Sequence, residues 1–210
     1  FDQSGSGNNA TQGTSTARPK IYDATTGVIV DDNGKPAVDF DGSNDSFLTG
    51  DIVYSGYSAD YAVVSGSFAN DDGILTTWGV DGGPNVMMNM RTVLTRAVRM
   101  NRGSLVTSSN NVLTANKVTI LNAESKSDNT ATFFVDGTSA LTGSGGSKSA
   151  TTKARIGVAF GDTGDPFDGR MQEVIMYTSD QSANRPSIED NIGDYYGIEI
   201  AGLLDQYSGA

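Results

Sequence analysis

Apolar residues in this chain come in short runs, and nearly every run stops at a turn of glycine, asparagine or aspartate. Asp32-Asn33-Gly34, Asp41-Gly42, Asp81-Gly82-Gly83-Pro84, Arg102-Gly103 and Asp136-Gly137 all separate such runs. Punctuation this dense leaves segments of strand length and little room for helices. Glycine contributes 26 of 210 residues, about 12% against a usual share of about 7%. The strand-like runs are 19–22, 28–30, 37–40, 47–48, 61–68, 73–80, 85–91, 95–101, 104–106, 117–123, 131–135, 154–160 and 171–177. That makes roughly twelve to fourteen short strands, spaced as in an all-β sandwich. Runs 73–80 and 85–91 read as one hairpin, and 95–101 with 104–106 as another. In 61–68 the alternate positions are mixed, so one face is expected in the core and the other partly in water. Val118, Ile120 and Asn122 alternate with Thr119, Leu121 and Ala123, and 142–152 reads as a flexible loop.

One helix is predicted near the end. Ser187 suits an N-cap, and Glu189 and Asp190 suit the first turn. Ile188, Ile192 and Tyr195 form one apolar stripe, and Gly197 stands where a C′ glycine ends a helix. Residues 1–18 are polar and turn-rich, 19–198 carry the sandwich pattern, and 199–210 form a tail. Ile198, Ile200, Leu203 and Leu204 could cover a sheet edge or dock on a neighbour. No apolar run reaches the ~20 residues of a membrane span, and no signal peptide is visible. The chain begins at Phe1 rather than methionine, so it is expected to be a processed product or a piece of something longer.

Lys plus Arg is 14 and Asp plus Glu is 25, a net charge of −11. Polyphosphate and anionic membrane would be repelled, so neither nucleic acid nor membrane insertion is expected. The chain has no cysteine and no histidine. Thiol nucleophiles, histidine triads, disulfides and His/Cys zinc sites are thereby excluded.

Four stretches carry a family resemblance: FDQSGSGNNATQ from Phe1, RPKIYD from Arg18, NGKPAVDFDGSNDSF from Asn33 and FDGRMQEVIMYTSDQSANRPSIEDNIGDYYGI from Phe167. In this order the chain resembles the concanavalin A-like lectin/glucanase superfamily in its laminin-G-like form. Such domains occur in bacterial surface proteins and phage structural proteins. Their ending, a strand G-x-[IA]-x-E-[VI]-[IL]-[VIL]-[YF] and then a helix closing in Y-G-[IL], is matched here by Gly169, Glu173, Val174, Ile175, Tyr177 and Tyr196-Gly197-Ile198. The first stretch also resembles the catalytic domain of arabinofuranosidase B, which has the same sandwich. The resemblance implies an all-β, two-sheet antiparallel jelly roll with one short C-terminal helix. That fold serves lectins, hydrolases and structural modules alike.

Several constellations bear on function. Tyr54, Tyr57 and Trp78 are rings that could stack on a sugar, although Trp78 also suits a core. Arg91, Arg96, Arg99 and Arg102 cluster in an otherwise acidic chain, facing either an acidic sugar or subunit, or cross-strand aspartates. Arg96 and Arg99 are the ligand candidates among them. The carboxylate pairs Asp162/Asp165 and Asp71/Asp72 sit in acidic loops, where the laminin-G-like resemblance implies that one pair could hold calcium and plain solvation is the alternative. Asp39, Asp41 and Asp45 read as a calcium or sugar site, or as a strand and turn capping local amides. Glu173 lies on a strand, with Gln172 and Val174 expected on the other face. It could supply one carboxylate of a glycosidase, but no second stands out and the catalytic contexts of arabinofuranosidase B are not recognisable. A non-catalytic module is therefore expected, and the resemblance implies one exposed on a virion (head fibre, decoration or tail-associated) or cell surface, adhering to glycans and homo-oligomeric. A purely structural particle or fibre subunit is the first alternative, and a glycoside hydrolase the second.

Overall fold

The computed structural model describes residues 2–52, 57–68, 73–79, 88–93, 95–101, 105–144, 153–159 and 165–202. The first sheet is built from β3 (Val38–Asp41), β5 (Ser58–Ser65), β10 (Thr119–Ser125), β11 (Thr130–Val135), β12 (Thr138–Ser144) and β14 (Asp168–Tyr177). The second is built from β4 (Phe47–Leu48), β6 (Gly73–Gly79), β7 (Met88–Val93), β8 (Ala97–Asn101), β9 (Leu105–Thr107) and β13 (Lys153–Ile156). Their orders are β12-β11-β10-β5-β14-β3 and β4-β13-β6-β7-β8-β9. A small ribbon joins β1 (Tyr22–Asp23) to β2 (Gly27–Val28). Every strand pairing among the described residues is antiparallel. The architecture is the expected all-β sandwich, and both expected hairpins form, as β6–β7 and β8–β9. Of the loop expected at 142–152, residues 142–144 belong to β12 instead, and 145–152 lie outside the described residues.

The main core lies between the sheets and includes Phe40, Val64, Leu75, Trp78, Met100, Leu121, Phe133 and Phe167. A second core covers the outer face of the first sheet. There Tyr61, Val63 and Ile120 meet Ile192 and Tyr196 of helix α1 (Arg185–Tyr196), with Ile198 and Ile200 beyond it. This layer corrects the half-wet reading of the 61–68 run. All eight residues of β5 are buried, as are all seven of β10. Burial on both faces removes the alternation that a one-sided strand shows.

The helix ends as expected, with Gly197 at φ 70° and its N–H bonded to Gly193 O. It starts earlier than expected: Asn184 is the N-cap residue and Pro186 sits in the first turn, not Ser187 at the cap. Its buried face is also turned. Glu189, Ile192, Gly193 and Tyr196 are buried, whereas Tyr195 is 61% exposed beneath Lys35 Nζ. A Cβ on Gly193 would stand 2.7 Å from Ile198 O, so glycine lets the helix lie close on the returning chain.

Thr11 pairs with Leu48 and Gln12 donates to Ser46, so residues 11 and 12 pack on the edge of the second sheet. Gly157 shows how tightly the sheets close. Its φ is +89°, and a Cβ there would lie 2.5 Å from Phe40 Cε1 and 2.8 Å from Asp45 O. Gly157→Ala is expected to cost about 2–4 kcal/mol, read as a drop of several degrees in thermal unfolding. An unchanged melting temperature would mean that the ring and the turn are free to give way.

Candidate functional site

Three of the chain's arginines, Arg91, Arg96 and Arg99, lie on β7, β8 and the turn between them in the second sheet. Val98 and Met100 point into the core, so Arg99 between them faces outward, half-buried. Its Nε donates to Thr107 Oγ1 at 2.9 Å, across to β9. Arg91 stands opposite Arg99 in the register of β7 and β8. The row is therefore Arg91, Arg99, Thr107. The adjacent register row runs Arg155, Thr77, Asn89, Asn101. At one end this face is closed: Thr77 is buried and donates to Val158 O.

Arg96 is held at the turn between β7 and β8. Thr95 and Arg96 both have left-handed backbones, φ 73° and 57°, which a β-branched residue such as threonine rarely adopts. The segment 110–113 braces them. Asn111 N bonds Thr95 O at 2.9 Å, and Leu113 N bonds Arg96 O at 3.0 Å. Thr95 Oγ1 donates to Asn110 Oδ1, and Arg96 Nη2 donates to Asn111 Oδ1, each at 2.9 Å. The result is an exposed guanidinium on a strained but buttressed turn. The sequence stretch from Gly82 to Ala123 contains Arg91, Arg96, Arg99, Arg102 and Lys117 and no carboxylate. That charge asymmetry is the signal that could have placed the face from sequence. Asn110, Asn111 and Arg155 had no such signal.

The rings divide differently. Trp78 is fully buried, and its Nε1 donates to Asp60 Oδ1 at 3.0 Å and Oδ2 at 2.9 Å. It therefore presents no face to a sugar, which corrects its candidacy. Asp60 sits on the opposite sheet, also bonded by Thr76 Oγ1 at 2.9 Å. Burial pushes the Asp60 carboxyl up to about 7 against the pull of these two donors. Tyr57 is half-buried on the rim of the first sheet, its Oη accepting from Ser127 Oγ. It thus belongs to the other sheet from Arg96 and Arg99. Tyr54, Asp71, Asp72 and Asp162 lie outside the described residues. Asp165 is half-buried with φ 57°.

The carboxylates of the VDFDGSND stretch are engaged locally. Asp45 Oδ2 accepts from Asp41 N, Asp41 Oδ1 accepts from Ser43 N, and Asp39 pairs with Arg170 at 3.4 Å. Glu173 is not opposite Gln172. A bulge between Met171 and Glu173 sets both residues toward the helix side. There Gln172 bonds Asn33 and Lys35 O, and Glu173 meets the Tyr196 hydroxyl. Glu173 borders a groove of about 450 Å³ beside α1, with Gln181, Asn184 and Asn191. A second cleft, about 560 Å³, is lined by Lys117, Asp136 and Glu199. The buried carboxylates Asp60, Glu124 and Glu189 line neither. No helix among the described residues is long and apolar enough to cross a membrane.

This is a two-sheet antiparallel β-sandwich, and solved structures share its fold. A heptameric SAP-like pentraxin from Limulus polyphemus aligns with TM-score 0.59 and 11% identity, over 72% of this chain and 79% of that one. The carbohydrate-binding module CBM40 of the Ruminococcus gnavus IT-sialidase, bound to α2,3-sialyllactose, aligns with TM-score 0.52 and 11% identity, over 63% and 80%. Trypanosoma rangeli sialidase with sialic acid aligns with TM-score 0.55 and 16% identity, over 74% of this chain but only 28% of the enzyme. No protein family and no curated protein matches the sequence.

Proposed function

We propose that this chain is a non-catalytic glycan-binding module whose β7–β9 face takes an acidic sugar. One observation carries the reading. In a chain of net charge −11, the longest carboxylate-free stretch builds an outward sheet face with Arg99 opposite the position of Arg91, and Arg96 at its turn. Like charges placed opposite each other in a sheet are unfavourable unless water or an anion lies between them. A sugar carboxylate or sulfate would accept from the guanidinium groups, while asparagine amides and Thr107 would meet its hydroxyls. The fold shared with a sialyllactose-bound module supports this reading. Each site would be shallow and weak, so many copies on a virion or cell surface would supply the avidity.

Glycan arrays of acidic and neutral sugars test it, in calcium and in chelator. Binding to acidic glycans is expected, weakened by salt, and about tenfold or more weaker in Arg96→Glu/Arg99→Glu with the circular dichroism spectrum unchanged. Equal binding of neutral glycans, or binding indifferent to both substitutions, would refute it. Binding lost only in chelator would direct attention to the loop of Asp165.

A second reading, a structural subunit, is favoured by one patch. Ile21, Tyr22, Val28 and Val30 of the β1–β2 ribbon are 47–63% exposed. No glycan binding by a folded chain that self-associates in sedimentation would put this reading ahead.

A further inference from the structure

Four buried oxygens in the layer between helix α1 and the first sheet have no hydrogen-bond partner among the described residues: Tyr61 Oη, Asn122 Oδ1, Glu124 Oε1 and Glu189 Oε1. Their residues are at most 5% exposed. Asn122 and Tyr61 are cross-strand partners on β10 and β5. Glu124 lies two residues beyond Asn122, on the same face. Ile120, also on that face, packs with Tyr61 against Ile192 of the helix. All three side chains therefore face α1, and Glu189 descends from it. The charges of Glu124 and Glu189 act on the Tyr61 hydroxyl, and that of Glu124 acts on Glu189.

The surroundings fix these atoms. Arg185 Nη1 donates to Glu189 Oε2 at 2.6 Å, and its guanidinium carbon lies 3.9 Å from the centre of the Phe134 ring. Asn122 Nδ2 donates to Asp60 O at 3.1 Å, which settles which end of the amide is left open. Every open atom is thus an oxygen, and three of the four only accept when the carboxylates are ionised. Open acceptors in a buried layer are costly. Two carboxylates against one guanidinium also leave one negative charge over. A water brings two hydrogens and no charge, so it serves two acceptors and leaves the imbalance. A divalent ion would place an excess positive charge beside Arg185. One single positive charge that takes oxygen ligands answers both needs.

We propose that the layer beneath α1 holds one monovalent hard cation, sodium or potassium, ligated by Tyr61, Asn122, Glu124 and Glu189. The other charges near it are balanced. Asp136, which acts on Glu189, is paired to Lys117 at 2.7 Å, and Lys126 and Asp180 act on Glu124 with opposite signs. Tyr177 packs edge-on against Tyr61. A proton is the competitor. Carboxylate ligands hold the ion only when deprotonated, so acid displaces it.

Thermal unfolding in sodium, potassium or choline chloride, at one ionic strength and about pH 8, tests the site. A melting temperature about 2–4 °C higher in one of the metal salts is expected, with the gap closing near pH 5. Glu124→Gln keeps the shape, removes the charge and should abolish the difference. Equal melting in choline and both metal salts would overturn the proposal. So would a difference that Glu124→Gln retains, or a rise given by calcium chloride alone. Should that variant not fold, the wild-type comparison across salts and pH decides by itself.

Discussion

Trp78→Phe is expected to cost about 3 kcal/mol at pH 8 and only about half of that at pH 5. Two losses add at the higher pH. Phenylalanine leaves part of the indole volume empty in the core, which costs the same at any pH. It also takes the N–H from both oxygens of Asp60, a group with 0% exposure. Thr76 Oγ1 would remain on Oδ2, so an ionised Asp60 keeps half of its present support. Protonation removes the charge and with it the second loss. Urea unfolding of both proteins at the two pH values measures the difference. A penalty that does not change with pH would show that the indole acts by volume alone.

Asp60→Asn is expected to act in the opposite direction. Burial lifts the Asp60 carboxyl to about 7 in the folded chain, from an ordinary value of 3.8. The folded state therefore keeps a proton that the unfolded state releases. Stability is full below about pH 4 and is lost as pH rises through about 7, by roughly 4 kcal/mol at about 1.4 kcal/mol per unit. Asparagine never ionises, and its amide can still accept from Trp78 and donate to Thr76 Oγ1. At pH 8 the variant should be about 2–4 kcal/mol more stable than the parent, and near pH 4 the two should coincide within about 1 kcal/mol. Glu189, also lifted to about 7, tilts the parent's pH profile the same way and is common to both proteins. A variant equally destabilised at both pH values would show that the two donors already compensate the charge.

The legible and illegible parts of this fold differ in the range of the forces behind them. The turns at Asp136-Gly137 and the helix stop at Gly197 are read correctly because a positive φ is a local demand: Asp136, Gly137 and Gly197 adopt 45°, 81° and 70°. The phase of the helix is not read correctly. Two isoleucines and a tyrosine do not say whether Tyr195 or Tyr196 turns inward, and the surface of β5 and β10 decides it. The bulge after Met171 likewise has no signature in the run that contains it. It resets the alternation, so Gln172 and Glu173 share a face.

The candidate site follows the same division. The arginine cluster is visible as a count and a spacing, but the row Arg91, Arg99, Thr107 exists only through strand register. Trp78 suits a sugar platform or a core equally well as a residue type, and the carboxylate across the sandwich assigns it to the core. Asp60, Glu124 and Glu189 are ordinary acids in an acidic chain until the sheets and helix close over them.

From sequence alone came the all-β class, the two hairpins, the C-terminal helix with its end, the sign of the charge and the exclusion of histidine and cysteine chemistry. These rest on composition and on rules that act within a few residues. Tertiary structure alone decided which carboxylates lose water, which ring leaves the surface, and which arginines share a face. Desolvation and register depend on groups far apart in the chain. Asp60 meets Trp78 across the sandwich and Glu189 reaches the layer of Glu124 from the helix, pairings that no local pattern encodes.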